Sequence, residues 1–198
     1  MQDKNILKQE LDAFYASKLL INKTPVFGEG NVNSKIVFIG EAPGGDEEKQ
    51  GRPFVGKAGK NLSEFLDEIN VDRSSIYITN AVKFRPTKEN PTTHRLSNRT
   101  PTTAEILLFR EWLIKELELI KPELVVTLGN TPLFSVTGDN SIKITSVHGE
   151  VVKHKLSATT SFQLMPFYHP AAVIYRRELV ETYREDMQKF KAIASELF

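Results

Sequence analysis

The sequence predicts an α/β fold, a three-layer α/β/α sandwich built on a four-stranded, mostly parallel sheet. Three observations carry this. Short apolar runs rich in β-branched residues recur along the chain. Stretches with apolar residues at helical spacing separate them, and the runs end at Gly40, Asn80, Gly129 and His169-Pro170. Strand and helix alternating in this way build a parallel sheet covered on both faces.

The segment Lys4–Ile21 carries Ile6, Leu7, Leu11, Phe14, Tyr15, Leu19 and Leu20, which is helical spacing. Lys35–Ile39 is a buried strand closed by Gly40, and a loop rich in glycine and acidic residues follows to Gly59. Leu62, Phe65, Leu66 and Ile69 place a second helix that ends near Asn70, and Ile76–Asn80 is the second strand. Lys83–Thr102 has no hydrophobic periodicity and is expected to be a long loop, a kind of segment that often carries function. Thr103 caps a helix to Ile120, with Ile106, Phe109, Leu113 and Leu117 on one stripe. Glu123–Leu128 is the third strand, stopped by Gly129, and a short helix covers Leu133–Val136. Val147–His154 reads as an irregular strand or hairpin arm, Phe162–Pro166 as the fourth core strand, and Pro170–Phe198 as helical with one break. With no internal repeat, linker or low-complexity tract, residues 1–198 are expected to form a single domain.

Composition narrows the function classes. The chain has 198 residues, 40% hydrophobic and 26% charged, which is ordinary for a folded domain. It contains no cysteine, which excludes disulfides, thiolate nucleophiles, cysteine-bound zinc and iron–sulfur clusters within this chain. No apolar run approaches the ~20 residues of a membrane span, and the N-terminus lacks the apolar stretch of a secretion signal, so no membrane partner and a cytoplasmic location are expected. Twenty-six Lys and Arg against 25 Asp and Glu give +1, so only the distribution of charge is informative.

In α/β sheets, ligands bind beyond the carboxyl ends of the strands. Those ends bring Glu41 and a Gly-Glu-Ala-Pro-Gly-Gly turn, Asn80 and His169, with Phe54 in the loop after the first strand. A carboxylate, a carboxamide, an imidazole and an aromatic ring suit a flat, hydrogen-bonding ring such as a nucleobase. The carboxamide donates and accepts at once, the aromatic ring stacks, and a neutral imidazole donates to a developing oxyanion. Each residue also has a plain structural role open to it: Glu41 as a loop carboxylate, Asn80 as a turn former, Phe54 as core, His169 as a helix start. Their joint placement is what favours function. Between Asn80 and Thr100, Lys83, Arg85, Lys88, Arg95 and Arg99 stand against Glu89, and Arg176 and Arg177 follow His169 closely. Basic groups around a base-sized pocket fit a phosphate backbone. Glu41, Asp46, Glu47 and Glu48 form an acidic cluster that is open to a metal ion but reads more readily as loop caps and ion pairs.

These blocks resemble the uracil-DNA glycosylase superfamily, most closely its family 4. The resemblance rests on Gly40-Glu41-Ala42-Pro43-Gly44 through Gly51-Arg52-Pro53-Phe54-Val55-Gly56-Lys57-Ala58-Gly59, on Tyr77–Pro86, and on His169-Pro170-Ala171-Ala172-Val173. It implies the α/β/α fold and removal of uracil from DNA after base flipping, with no metal or redox cofactor and DNA containing deoxyuridine as partner. A monomer is the default expectation. By the same resemblance, Phe54 stacks on uracil, Asn80 reads its polar edge, and amides near Ala42 hold its carbonyls. His169 stabilises the departing base, and Val173 belongs to the wedge that enters the duplex. Lys83, Arg85, Arg95, Arg99 and Arg176 are the expected DNA contacts. Ala42 occupies the position where other branches carry an aspartate, so Glu41 is the first candidate to handle water and Glu47 the second.

Two departures from the family pattern stand out. The positions matching the four iron–sulfur ligands of family 4 are Ala13, Ala16, Phe84 and Leu108, so apolar packing is expected in place of a cluster. The inserted loop Thr87–Thr102 resembles one that, in another branch, carries a histidine that bonds to the deoxyribose. Asn98 stands at that place here, and His94 lies four residues earlier. The alternatives to a turning-over glycosylase are a binder or covalent trap of uracil-containing or abasic DNA, and, more remotely, a metal-dependent hydrolase built on the acidic cluster.

Overall fold

The computed structural model describes residues 2–17 and 22–197. Helix α1 spans Gln2–Ser17, and the remainder of the predicted first helix, residues 18–21, lies outside the described residues. The chain then runs through β1 (Glu29–Gly30), β2 (Ile36–Gly40), α2 (Gly45–Gln50), α3 (Lys57–Glu68), β3 (Tyr77–Asn80), β4 (Thr87–Glu89) and β5 (Leu96–Asn98). It continues with α4 (Thr103–Ile120), β6 (Leu124–Leu128), α5 (Asn130–Thr137), α6 (Ile144–Val147), β7 (Val152–Lys155), β8 (Ser161–Phe167), α7 (Pro170–Tyr175) and α8 (Leu179–Ala194).

The sheet order is β1-β3-β2-β6-β8-β7. The four predicted strands are its central members, all parallel: Val37 pairs with Tyr77 and Val125, and Val125 with Leu164. The sheet nevertheless has six strands rather than four. Two antiparallel edges complete it, β1 against β3 and β7 against β8. Edge strand β1 was not expected, whereas β7 falls largely within Val147–His154, the segment expected as an irregular strand or hairpin arm. β1 is two residues long, and β7 is largely exposed on both faces.

Side chains alternate across the central strands and so define two cores. Ile36, Phe38, Val126 and Phe167 pack with Leu62, Leu66, Tyr183 and Phe190 under α3 and α8. Val37, Ile39, Val125 and Leu164 pack with Leu113, Leu117, Leu133 and Val136 under α4 and α5. The capping residue of α4 is Thr102, one earlier than expected. Its hydroxyl accepts from Glu105 N at 3.2 Å, while the Glu105 carboxylate accepts from Thr102 N at 2.7 Å.

A third core mixes aromatic and aliphatic side chains: Tyr15, Phe84, Phe109 and Trp112 pack with Leu11, Val82 and Ile106. Phe14 lies 5.3 Å from Trp112 and 5.8 Å from Phe109 between ring centroids, and Tyr15 and Phe84 each lie 5.7 Å from Phe109. Of the positions matched to cluster ligands, Phe84 and Leu108 belong to this packing. Ala13 and Ala16 are exposed, and α1 contributes Leu11, Phe14 and Tyr15 instead. The first helix is therefore held to α4 by ring contacts, each aromatic pair adding ~0.5–1.5 kcal/mol beyond its buried area.

Two segments expected to be loops carry structure. Residues 40–59 contain α2, and residues 83–102 contain the β4–β5 hairpin, in which Thr87 faces Asn98 and Glu89 faces Leu96. The hairpin is exposed and held by main-chain pairing, so it leaves no hydrophobic signature. Its turn is set by Asn90, whose Oδ1 accepts from Thr92 N and Thr93 N, both at 2.9 Å. No described helix is long and apolar enough to cross a membrane.

Phe109 is the hub of the aromatic core and is fully buried. Phe109→Ala is expected to cost about 3–5 kcal/mol, read from the urea-unfolding midpoint.

Candidate active site

Strand β2 leads to β3 on one side and has β6 on the other, which makes its carboxyl end the topological switch point of the sheet. A cavity of about 360 Å³ opens there, in the size range of small-molecule sites. It is lined by all six residues expected to handle the base and the water: Glu41, Ala42, Glu47, Phe54, Asn80 and His169.

Glycine at position 40 permits the convergence. Asn80 is its direct partner across the ladder. A Cβ on Gly40 would lie 2.4 Å from Phe54 Cζ and 2.5 Å from Asn80 Oδ1, so ring and carboxamide close over a bare backbone. Asn80 is 2% exposed, and its carboxamide faces the cavity without a protein hydrogen bond among the described residues.

Phe54 sits in left-handed backbone conformation, φ 53°, which costs a non-glycine residue ~1–2 kcal/mol. Arg73 offsets that cost. Its guanidinium donates to Phe54 O at 2.9 Å, Ser63 Oγ at 2.9 Å and Gly59 O at 3.2 Å. Burial lowers the Arg73 pKa from its ordinary value, although the group stays charged. Gly59 leaves room for the same turn, since a Cβ there would lie 1.8 Å from Phe54 O.

The two carboxylates divide the work. Glu47 uses both oxygens on backbone amides: Oε1 accepts from Val55 N at 3.0 Å and Gly56 N at 2.7 Å, and Oε2 from Gly44 N at 3.1 Å. It ties the start of the loop to its end and is a positioning group. Glu41 Oε2 accepts from the Thr131 hydroxyl at 2.7 Å, across the switch point, and its other oxygen has no hydrogen-bond partner among the described residues. Burial raises the Glu41 pKa, with the Thr131 bond opposing the shift.

His169 caps α7, and its Nδ1 accepts from Ala171 N at 3.1 Å. A ring nitrogen that accepts carries no proton, so the proton of the neutral ring resides on Nε2. Burial holds the pKa down to about 4, only partly opposed by the Glu47 charge. The imidazole is therefore neutral at physiological pH, with Nε2–H as donor. Its ring centroid lies 6.2 Å from that of Phe54, the planes 32° apart.

The expected DNA contacts fare differently. Lys83 is 2% exposed, and its ammonium donates to Glu116 at 2.6 Å and to Thr79 Oγ1 and Asn80 O at 2.8 Å, so it lies beneath the site and reaches no phosphate. Arg99 lines the cavity but is committed to Glu105, with contacts of 2.6 and 2.7 Å, and to Thr87 O and Thr100 O. Arg85 is held by Glu48 at 3.1 Å and Asn98 at 2.7 Å. Arg95 and Arg176 are exposed, as are Lys88 and Arg177. Val173 faces the core at 5% exposure, so it is no wedge; its neighbours Ile174 and Tyr175, 43% and 81% exposed, project from the same helix. His94 stands at the hairpin tip against Glu89 and does not line the cavity. Asn98 and Lys57 do line it, and neither was singled out as a pocket residue from sequence. Their only signal was position: Lys57 inside the first motif, Asn98 at the end of the insertion. The acidic cluster is dispersed, with Glu47 on amides and Glu48 on Arg85.

Comparison with known proteins agrees with this geometry. The sequence model of the uracil DNA glycosylase superfamily matches residues 27–197. The Type-4 uracil-DNA glycosylase of Sulfurisphaera tokodaii is 38% identical over 195 residues, covering 95% of this chain and 83% of that protein. The Type-4 uracil-DNA glycosylase of Thermotoga maritima is 36% identical over 190 residues, covering 94% and 92%. That of Archaeoglobus fulgidus is 39% identical over 165 residues, covering 82% and 78%. The chain belongs to the uracil-DNA glycosylase superfamily.

Lys83→Met leaves the Glu116 carboxylate buried without its cation. The expected result is destabilisation by about 3–5 kcal/mol in urea unfolding. Unchanged stability with a shallower salt dependence of DNA binding would instead mean that the ammonium reaches phosphate.

Proposed function

We propose that the protein is a monofunctional uracil-DNA glycosylase: it flips deoxyuridine out of DNA, hydrolyses the N-glycosidic bond, and leaves free uracil and an abasic site. The observation that carries this reading is the convergence of Phe54, Asn80 and a neutral His169 in one cavity. The Type-4 relatives, named for the same activity, support it.

A base inside a duplex is out of reach of such a cavity, so it must leave the stack. Phe54 then stacks on uracil, and Asn80 pairs with its O4 and N3–H, an edge that cytosine presents with donor and acceptor reversed. As the bond from C1′ to N1 breaks, its electrons pass to the base, and His169 Nε2–H donates to the developing oxyanion. A neutral donor suits this step because it holds the anion by hydrogen bonding without forming an ion pair that would trap it. Glu41 faces the sugar with an uncommitted oxygen; it orients the attacking water and offsets the cationic character of the sugar. Exposed Lys57, Lys88, Arg95, Arg176 and Arg177 form the phosphate-facing rim, and Tyr175 is the side chain placed to fill the vacated stack.

The test is uracil release from a single-stranded oligonucleotide containing one deoxyuridine, with enzyme limiting, read by alkaline cleavage and by a denaturing protein gel. Many turnovers with no shifted protein band are expected. A stoichiometric burst with a shifted band would mean covalent capture, and binding without release a non-catalytic binder; either overturns the proposal. Phe54→Ala should lower kcat/KM roughly 5- to 150-fold, matching ~1–3 kcal/mol of lost stacking. Asn80→Asp should lower uracil release by removing the amide donor.

The pH profile follows from the two perturbed groups. Glu41 must be ionised, and burial raises its pKa, so kcat/KM should fall with decreasing pH while still above the ordinary carboxylate range. Glu41→Gln should slow the reaction and remove that limb. The remaining loss should lie near pH 4, where His169 gains its proton. A limb near 6.5 that disappears in a His169 variant would contradict the assignment.

A further inference from the structure

The sheet order ends at β7, whose partner is β8, so one side of β7 is an open edge. The register settles which backbone groups face outward. Gln163 N donates to Glu123 O, just before β6, at 2.8 Å, so Gln163 turns its backbone away from β7. Leu156 N donates to Thr160 O at 2.9 Å beyond the far end of the ladder, in the same phase. Bonded and non-bonded pairs alternate along an antiparallel ladder, and Lys153 faces Gln163 while Lys155 faces Ser161. The N–H and C=O groups of Lys153 and Lys155 therefore point out from the edge, open to a further strand.

The two faces of this edge differ in chemistry. Val152 and His154 turn toward α5 and line a groove of about 430 Å³ with Leu133, Ile142, Val147 and Leu164. Val152 is 49% exposed on that wall. His154 is hydrogen-bonded to the Val136 carbonyl, and burial lowers its pKa from the ordinary value, so it brings no charge to the groove. Asp139 and Glu150 stand at the exposed margin of the groove. Lys153 and Lys155 alternate to the opposite face; both are exposed, and neither pairs with a carboxylate among the described residues.

We propose that the β7 edge takes up an extended segment of a partner protein as a further strand, a segment in which acidic residues alternate with apolar ones. Main-chain pairing to Lys153 and Lys155 holds it, apolar side chains enter the groove, and carboxylates lie over the two ammonium groups. Charge on both faces fixes the register. A slip of one residue would set carboxylates beside Asp139 and Glu150 and apolar side chains over the lysines. A second copy of β7 does not suit the edge, because it would bring Lys153 and Lys155 against their own counterparts. The groove shares no lining residue with the cavity at the switch point, and Lys155 faces Ser161 at the amino end of β8, away from His169. A partner on this edge leaves the cavity open, and the edge has this role whether or not the cavity releases uracil.

The test titrates the full chain into a fluorescein-labelled peptide in which Glu and Val alternate, read by anisotropy. Two further peptides serve as controls: one with the same residues as a Glu block followed by a Val block, and one with Lys in place of Glu. The Glu–Val peptide should bind, and each control should bind about tenfold more weakly or not at all. The double variant Lys153→Glu, Lys155→Glu should reverse the preference, taking the Lys–Val peptide over the Glu–Val one. Val152→Asp should weaken Glu–Val binding about tenfold, by placing a carboxylate on the groove wall. Alternate residues of an added strand face the edge, so N-methylation of one alternate set should abolish binding and of the other set should spare it. These variants change exposed side chains, so the unfolding midpoint and activity on the deoxyuridine oligonucleotide should match the unmodified chain. Absence of Glu–Val binding, equal binding of a control peptide, or equal binding of both N-methylated forms would overturn the proposal and leave the lysines as guards against edge pairing. A dimer in sedimentation that is lost in the double variant would overturn it in favour of a second copy. Displacement of the peptide by an oligonucleotide without uracil would overturn it in favour of nucleic acid on the lysines.

Discussion

An ammonium buried in a protein interior costs several kcal/mol unless a counter-charge and hydrogen-bond acceptors surround it. Lys83 has both, and the way they are placed organises the site above it. Its carboxylate partner Glu116 comes from α4, and Glu116 also accepts from Tyr77 at 2.8 Å and Thr79 at 2.9 Å on β3. Its other acceptors are Thr79 Oγ1 and the carbonyl of Asn80. One ion pair thus joins the long helix to the end of the strand that presents the Asn80 carboxamide to the cavity. A small shift of α4 would be felt at Asn80, and the charge cannot be removed from one partner without stranding the other.

The loop over the cavity is held by the same economy of buried polar groups. Glu47 closes it through three backbone amides, and Arg73 closes the Phe54 turn through carbonyls and a hydroxyl. Gly40 and Gly59 are required where ring, carboxamide and backbone approach too closely for a side chain. The strained backbone at Phe54 is paid for locally. The Phe54 ring is accordingly held at the cavity by the fold itself. His169 follows the same logic: the helix it caps selects its tautomer, and burial keeps it neutral.

In this cysteine-free chain a core of aromatic rings and aliphatic side chains secures α1 to α4 and the segment around Phe84. Phe84 separates Lys83 from Arg85, so the packing lies between the buried ion pair below Asn80 and the guanidinium that bridges Glu48 and Asn98. The hairpin beyond is attached through Arg85, Arg99 and main-chain pairing rather than through an apolar face of its own.

The four parallel strands, the main helices and six residues that line the cavity were legible in the sequence, because burial imposes periodicity on strands and helices and because strand ends in this fold converge. Glu41, Phe54, Asn80 and His169 could be named from their place at those ends. Strand β1, α2 and the β4–β5 hairpin were not legible, and β7 only as a hairpin arm within Val147–His154, since their geometry comes from main-chain pairing and caps, which leave little pattern in residue type. The sequence alone also could not say what each charge does. Lys83, Arg85 and Arg99 belong to one basic run, yet one is buried under Asn80, one bridges Glu48 and Asn98, and one clasps Glu105. Their partners, Glu116, Glu48 and Glu105, come from other elements of the chain. Local sequence determined the framework and the residues at the strand ends; only tertiary packing decided which cations pair inside the protein and which remain at the surface.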